Sequence, residues 1–451
     1  MEKKSTFTGK VGFVMAAAAS AVGLGNLWRF PYLAAKYGGG TFLLIYLILA
    51  VTFGFTLMVT EVAIGRRTGK SVLNAYGAVS KKFRFLGPLV FLVPAIITPY
   101  YCVVGGWVLK YFAGFIAGEN EAMTDSSFFS NFIGAPVSPL IYTAIFLGAT
   151  AVIVALGVEK GIEKFSKILM PILIGLSVIL AVYVCTMPGA GAGILYYLKP
   201  DFTEFKFETV VAATGQLFYS LSLGMAIMIT YGSYMKKDVN IESSARQIEV
   251  FDTLVAFLAG MIIVPAVYVF SNGDKSQLSQ GAGLMFVTLP KVFATMPLGR
   301  LVGILFFLLV IFAALTSSIS LLEALVAVAL EKTKLTRVQA TVIITILCMI
   351  VAVPSVLGYN VWSAVKIAGF AFLDFFDFIS NSVLMPFVEC LTCLMIGWFV
   401  GSKYIEDEAE FDSQPFKAKK MYRVMVKYVA PILLVIILIS SILNALGIVT
   451  I

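Results

Sequence analysis

Between Ala16 and Pro31 the chain reads AAAASAVGLGNLWRFP, so two glycines, an asparagine and an arginine interrupt a run otherwise apolar enough for a bilayer. Glycine weakens a helix interior by about 1 kcal/mol relative to alanine, and in hydrocarbon any backbone group released by unwinding must find another partner. A helix broken here offers amides at the positive end of its outer half, suited to a carboxylate, and carbonyls at the end of its inner half, suited to a cation. Small residues at this spacing also serve close helix packing, so the stretch alone leaves binding and packing open. A second interruption, Ser220-Leu221-Ser222-Leu223-Gly224, lies in another apolar run. Gly-interrupted helices in matching positions of two halves point to a midplane site in a secondary transporter.

Other side chains could do chemistry, each with a plainer reading beside it. Asp252 falls about a third of the way into an apolar segment, where a carboxylate is functional by default, or else pairs with a snorkelling Arg246. Thr316 and Ser317 offer hydroxyls, which inside a helix more commonly bond back one turn. Glu61, near Arg66, reads equally as structural or functional. The absence of histidine excludes imidazole metal sites and His-based acid–base catalysis. Cys102, Cys185, Cys348, Cys390 and Cys393 all lie in apolar runs and read as inert buried thiols. With no nucleophile–base arrangement, no enzyme is expected.

The elements that must position these groups are membrane helices. Of 451 residues, 60% are hydrophobic and only 13% charged, and the mean hydropathy of +0.95 lies far outside the soluble range. About 20 apolar residues cross the ~30 Å hydrocarbon core. Spans are expected at 11–36, 41–65, 86–116, 138–157, 166–187, 209–234, 246–270, 301–330, 338–354, 364–399 and 424–447, eleven in all. The net charge of +8 sits in short connections, which reflects topology rather than nucleic-acid binding. Arg66, Arg67, Lys70, Lys81, Lys82 and Arg84 mark the 66–84 connection as cytoplasmic, whereas 117–137 carries acids and no lysine or arginine. The N-terminus is then cytoplasmic and Ile451 external, in the plasma membrane. The external loops 188–207 and 271–299 are expected to carry short helices. Five spans separate the two interruptions, so corresponding helices cross in opposite directions. The expected architecture is therefore all-α and polytopic, a single transporter domain over 1–451. It comprises inverted repeats of five plus five helices at 11–187 and 209–399, with helices 1 and 6 discontinuous, and an accessory helix at 424–447.

The run Ala21-Val22-Gly23-Leu24-Gly25-Asn26, followed by Trp28-Arg29-Phe30-Pro31 and Gly38-Gly39-Gly40, closely resembles the opening of the neurotransmitter:sodium symporter family. The likeness continues through Glu61 with Gly65-Arg66, Gln216 to Tyr231, and Leu315-Thr316-Ser317-Ser318, which covers essentially the whole chain. It implies a bacterial amino-acid member. It also implies that the Leu24 and Gly25 amides take a substrate carboxylate, with Tyr101 donating to the same group, an aromatic packing role for Tyr101 being the alternative. A first sodium would use the Ala21 carbonyl, Asn26, Ser220 and Asp252, completed by that carboxylate. A second would use carbonyls of Ala19, Val22 and Ala313 with hydroxyls of Thr316 and Ser317. Asp252 stands where the family more commonly has Asn, which implies chloride independence. Gly23 stands where amine-transporting relatives carry a carboxylate, leaving room for a substrate that brings its own. Ile97, Tyr101, Tyr219, Met225 and Leu321 would form apolar walls, with Ser222 the small polar exception and Ser220 and Ser317 alongside. Met is an adaptable wall.

By the same resemblance Arg29 and Asp377 would pair across the external path, with Tyr219 beneath and Gln216 nearby. Lys4 or Lys3 with Glu331 would close the cytoplasmic side, although interfacial anchoring explains those charges equally well. Gly161 and Pro171 bracket the start of the fifth span, and Pro171 cannot donate a bond to Lys167. Either that segment unwinds when the site opens inward, or it holds a plain proline kink. The expected function is sodium-coupled symport of hydrophobic and aromatic L-amino acids by alternating access. Its partners are the amino acid, two sodium ions and the bilayer. The rivals are an amino-acid-gated channel or sensor on the same site, and a symporter of amines or osmolytes.

Overall fold

A computed structural model of the chain describes residues 6–271 and 282–448. Among these residues nine helices are long and apolar enough to cross a membrane: Gly40–Thr68, Lys81–Ala117, Ser138–Ala155, Val158–Cys185, Ile241–Phe270, Gly299–Lys332, Arg337–Leu357, Phe372–Val400 and Lys419–Ala445. The first span is instead two helices, Lys10–Ala21 and Gly25–Lys36, bent by 51°. The sixth is also two, Phe207–Ser220 and Ile227–Tyr234, separated by residues 221–226. Together they make the eleven spans that hydropathy predicts.

Both interruptions have local causes. In the sixth span Ser222, Gly224 and Ala226 take φ of 55°, 71° and 64°, a left-handed region that costs roughly 1–2 kcal/mol for a residue with a Cβ. Tertiary bonds hold this strain: Ser222 Oγ donates to the Ser20 carbonyl at 3.1 Å, and the Gly224 amide donates to Glu61 Oε1 at 2.6 Å. The two breaks are thus tied to each other and to the second span. The Gly38-Gly39-Gly40 run turns the chain between the first two spans. Gly39, with φ of 52°, faces the Tyr196 carbonyl so closely that a side chain has no room. It bridges Pro200 at the end of the short helix Ala190–Leu198.

Some boundaries differ from the hydropathy reading. The tenth span begins at Phe372 rather than 364, because residues 358–371 form an apolar surface turn in which Ala368 and Gly369 are left-handed and Ile367 bridges Phe370. The seventh starts at Ile241, where Asn240 Oδ1 accepts the Ser243 amide at 2.7 Å. Its polar first turns are helical although hydropathy gives them no weight. The expected helices over the outer loops are present at Ala190–Leu198 and Leu284–Thr295.

Charged groups cluster on the face carrying Arg66. Its buried guanidinium donates to Glu408 Oε1 at 2.7 Å and to the Val239 carbonyl at 2.6 Å, while Lys237 reaches Glu408 at 2.6 Å. Arg337 pairs with fully buried Glu323 at 2.6 Å, and Tyr234 OH donates to that carboxylate at 2.7 Å. The Arg66 and Lys237 ties join the end of the second span, the connection between the sixth and seventh, and the helix Lys403–Ala409, while those of Glu323 join the sixth, eighth and ninth spans.

Candidate ion and substrate site

The broken helices face each other across a small cavity of ≈ 30 Å³. Every residue expected to meet the substrate lines it: Gly23, Leu24, Gly25, Ile97, Tyr101, Tyr219, Ser220, Ser222, Met225, Ser317 and Leu321. Ser20 and Ile227 also line it. Neither stands out in the sequence, since an apolar residue past the break and a serine before it look like ordinary helix. No Asp, Glu, Lys or Arg is among the lining residues, so a charged ligand there meets only backbone dipoles, amides and hydroxyls. Tyr101 OH accepts the Leu24 amide at 3.4 Å. A Cβ added at Gly23 would stand 2.7 Å from Ser317 Oγ and 3.1 Å from Tyr101 OH; one at Gly25 would stand 2.7 Å from the Tyr219 ring. Both glycines are therefore fixed by space.

Asp252 is the centre of the first cluster of oxygens. Its Oδ1 accepts from Asn26 Nδ2 at 2.7 Å and from Ser220 Oγ at 2.8 Å, and its Oδ2 accepts from Tyr46 OH at 3.1 Å. Asn26 Oδ1 accepts the Gly23 amide at 3.0 Å. Asp252, Asn26 and Ser220 thus meet at one place and are buried; Ala21, also buried, lines the cavity with Asn26 and Ser220. Tyr46 was not legible in the sequence, as nothing distinguishes it from a core tyrosine. The Asp252 side chain turns inward to this cluster. Arg246, read as its possible partner, donates instead to the Val51 carbonyl at 3.1 Å, lies 4.0 Å from the Phe55 ring and sits 3.8 Å from Glu249.

The second cluster lies where the eighth span meets the first. Ser317 Oγ is 3.0 Å from the Ser20 carbonyl, 3.4 Å from that of Val22 and 3.2 Å from that of Ala313. Thr316 Oγ1 stays within its own helix, 3.0 Å from the carbonyls of both Phe312 and Ala313. Ala19 is buried, but the carbonyls Ser317 reaches are those of Ser20, Val22 and Ala313, not that of Ala19. Oxygen-rich surroundings of this kind suit a hard monovalent cation.

Above the cavity opens a vestibule of ≈ 700 Å³ with Trp28, Arg29, Tyr100, Trp107, Asp377 and Asn381 in its walls. Tyr219 lines both spaces, as do Leu24 and Tyr101. Arg29 lies over the Tyr219 ring, 5.5 Å from its centre. Asp377 accepts from Asn381 at 2.6 Å and Tyr100 at 3.2 Å. The two expected gate residues face one vestibule without pairing, so this side is open. Gln216 donates to the Gly25 carbonyl at 2.9 Å and fastens the two broken helices just above the cavity.

The opposite side is shut. Lys4 lies outside the described residues, and Glu331 accepts from the Ser71 amide and Asn74 Nδ2, each at 2.6 Å. Closure among the described residues comes from Phe7 and Thr8, which sequence reading did not single out. Phe7 is buried, with ring centres of Phe13, Tyr231 and Tyr234 at 5.8, 5.5 and 6.2 Å. Its amide donates to the Tyr234 carbonyl at 3.1 Å. The Thr8 amide donates to Glu163 Oε2 at 2.8 Å, its hydroxyl also donates to Glu163, and Lys167 holds the other oxygen at 2.6 Å. Glu163 ends a loosened π-type turn, Val158–Glu163, in which the amides of Gly161 and Ile162 both reach the Gly157 carbonyl.

Two interrupted helices around a buried oxygen cluster, with one side open and the other plugged, describe a secondary transporter. The chain belongs to the sodium:neurotransmitter symporter family, whose sequence profile matches residues 4–120 and 129–448. It is a multi-pass membrane protein and a sodium-dependent transporter, not an enzyme. It is 34% identical to the uncharacterized sodium-dependent transporter YhdH of Bacillus subtilis over 98% of both chains. It is 25% identical to the sodium-dependent serotonin transporter of Drosophila melanogaster, over 98% of this chain and 77% of that one. Among solved structures it is similar to MhsT in complex with L-phenylalanine, with a TM-score of 0.87 and 36% identity over 97% of this chain and 100% of that one.

Proposed function

We propose that the protein imports hydrophobic and aromatic L-amino acids together with sodium, by alternating access and without chloride. The observation that carries this reading is a cavity bounded by both helix breaks and lined by no charged side chain. A zwitterion is met there by the Leu24 and Gly25 amides and Tyr101 OH at its carboxylate, while Ile97, Met225, Ile227 and Leu321 take an apolar side chain. An amine without its own carboxylate lacks a counter-charge, because position 23 is glycine. The phenylalanine bound to MhsT supports the same substrate class.

Two sodium ions are proposed, one at Asn26, Ser220, Asp252 and the Ala21 carbonyl, the other at Thr316, Ser317 and the carbonyls of Ala19, Val22 and Ala313, with Ser20 added by proximity. A substrate carboxylate shared with the first ion couples the two cargoes, since each then improves the other's site. Arg29 with Asp377 and Tyr219 closes the outer path. On the inner path the Thr8–Glu163 tie must release, and the Val158–Glu163 turn is where the fifth span yields. Residues 11–187 and 209–399 act as inverted repeats, the basic face is cytoplasmic, and the chain ends lie on opposite sides.

The test is uptake of labelled phenylalanine into proteoliposomes under an inward sodium gradient, with the proteinogenic amino acids as competitors. Accumulation above equilibrium that collapses with the gradient supports symport; equilibration alone makes the protein a channel. Competition by amines but not by apolar amino acids would refute the substrate class.

A further inference from the structure

The connection between the fifth and sixth spans turns back into the bilayer. Its helix, Ala190–Leu198, packs lengthwise on the seventh span. A Cβ added at Gly189 would stand 3.7 Å from Val269, and one at Gly193 would stand 2.7 Å from Pro265 and 3.0 Å from Tyr268; Tyr197 OH donates to the Phe257 carbonyl at 3.1 Å. The seventh span starts beside Val239, on the face carrying Arg66, and climbs toward the vestibule side. Partners that fall from Val269 to Phe257 therefore take the short helix inward, along most of its length of about 13 Å.

Three helices measure the depth it reaches. Pro200 bridges Gly39, and the Thr41 hydroxyl donates to the Asp201 carbonyl at 2.8 Å and accepts the Asp201 amide at 2.9 Å. Thr41 precedes Tyr46 by five positions and Phe257 follows Asp252 by five, and Tyr46 and Asp252 are bonded to each other in the first oxygen cluster. Both helices thus place the tip of the connection about 8 Å above that cluster. The outer half of the sixth span, Phe207–Ser220, starts about 20 Å above it. A site between two helix breaks lies near the bilayer midplane, and half the hydrocarbon core is about 15 Å thick. The tip therefore sits in hydrocarbon, and the chain from Pro200 to Phe207 climbs through the vestibule-side leaflet to its headgroups.

The surface shown along this climb is apolar. Leu195 is 60% exposed, Phe202 68%, Phe205 50% and Phe207 60%, and the short helix lies against the second span, whose Leu44, Leu47 and Ile48 are exposed too. Lys199 and Lys206 are exposed, and lysine stems cover the remaining distance to the phosphates while lying along apolar surface. The Asp201 carboxylate is occupied by the Thr203 amide and hydroxyl, at 3.0 and 2.6 Å. On its inner side the connection is tied to the first span, where Tyr196 OH donates to the Ala35 carbonyl at 2.6 Å. We propose that residues 190–207 form a re-entrant insert in the vestibule-side leaflet and that its partner is phospholipid. Acyl chains take Leu195, Leu198, Phe202 and Phe205, and phosphates take Lys199 and Lys206. Through Tyr196, Pro200 and Asp201 the insert anchors the outer half of the broken first span, Gly25–Lys36, to the bilayer.

The test places one nitroxide label at a time on the full chain in phosphatidylcholine nanodiscs, with Cys185, the one native thiol not buried, replaced in Cys185→Ala. Labels enter through Leu198→Cys, Phe202→Cys, Phe205→Cys and Phe207→Cys, with Ile48→Cys as the lipid-facing reference and Asp125→Cys as the exposed one. Oxygen concentrates in hydrocarbon and a nickel chelate stays in water, so relaxation by the two reads depth. Oxygen is expected to dominate at 198, 202 and 205 as it does at 48, with depth decreasing in the order 198, 202, 205, 207. Nickel access at 198, 202 and 205 equal to that at 125 overturns the insert. Low access to both reagents there, the mark of a covering protein surface, overturns it as well. For the anchor, Phe202→Ser with Phe205→Ser is expected to quicken hydrogen exchange over residues 33–41 severalfold, whereas Val361→Ser, at another exposed apolar turn, leaves it unchanged. Exchange over 33–41 equal to wild type in both variants overturns the anchor. If the double variant does not assemble, the single Phe205→Ser carries the same comparison.

Discussion

An alanine at Gly23 puts a single methyl group between Tyr101 of the proposed substrate site and Ser317 of the proposed second ion site. Its Cβ would stand 2.7 Å from Ser317 Oγ and 3.1 Å from Tyr101 OH, where ordinary contact begins at 3.4 Å. The methyl is about 0.7 Å too close to the serine, and the cavity of ≈ 30 Å³ gives it no slack. Ser317 can rotate away only by giving up its bonds to the Ser20 and Ala313 carbonyls, at 3.0 and 3.2 Å. Overpacking of this kind costs about 1–3 kcal/mol, which is roughly fivefold to a hundredfold in affinity. Equilibrium binding of phenylalanine to purified Gly23→Ala, with a sodium titration beside it, is expected to show both affinities reduced. Wild-type binding of both cargoes, in a protein of unchanged thermal stability, would refute the placement of substrate and ion around Gly23.

Asp252→Asn removes the only formal charge of the first oxygen cluster, and losing one member of a buried charged pair costs about 2 kcal/mol or more, so apparent sodium affinity should fall by roughly thirtyfold in uptake assays. In the wild type, replacing chloride by gluconate should leave uptake unchanged; a sharp loss would mean that Asp252 does not stand in for the anion. Glu163→Ala frees Thr8 and Lys167 together, and hydrogen exchange over residues 158–170 should quicken, most visibly without sodium; equal protection in both proteins would count against the inner latch. Arg66→Ala strands Glu408, which is buried and keeps only Lys237. Breaking a buried ion pair costs about 3–5 kcal/mol, so the melting temperature in detergent should drop clearly.

Spans and cavity were legible for the same reason. Hydrocarbon forces the chain into helices and leaves departures from helical composition conspicuous, so AVGLGN and SLSLG announce the breaks by themselves. Residues on those breaks, such as Gly23, Leu24 and Ser222, line the cavity because a break places them there. What composition could not reveal is which side chains meet across helices. Tyr46 reaches Asp252 from 206 positions away, Thr8 reaches Glu163 across 155, and Ser317 reaches Ser20 across 297. Such pairs leave no local pattern, since each partner reads as an ordinary membrane-helix residue.

The gates divide the same way. Sequence placed Arg29 and Asp377 at the mouth, but only the packed helices decide that they stand apart on the walls of an open vestibule. It named Glu331 as an inner gate, whereas the fold spends that carboxylate on Ser71 and Asn74 and gives closure to Phe7, Thr8 and Glu163. A membrane transporter with two interrupted helices, and the residues at each interruption, can be read from the residues alone, because solvent and backbone chemistry act locally. The tertiary structure decided which carboxylates, hydroxyls and carbonyls share a site, because burial strips away water and leaves each polar group only the partners that packing supplies.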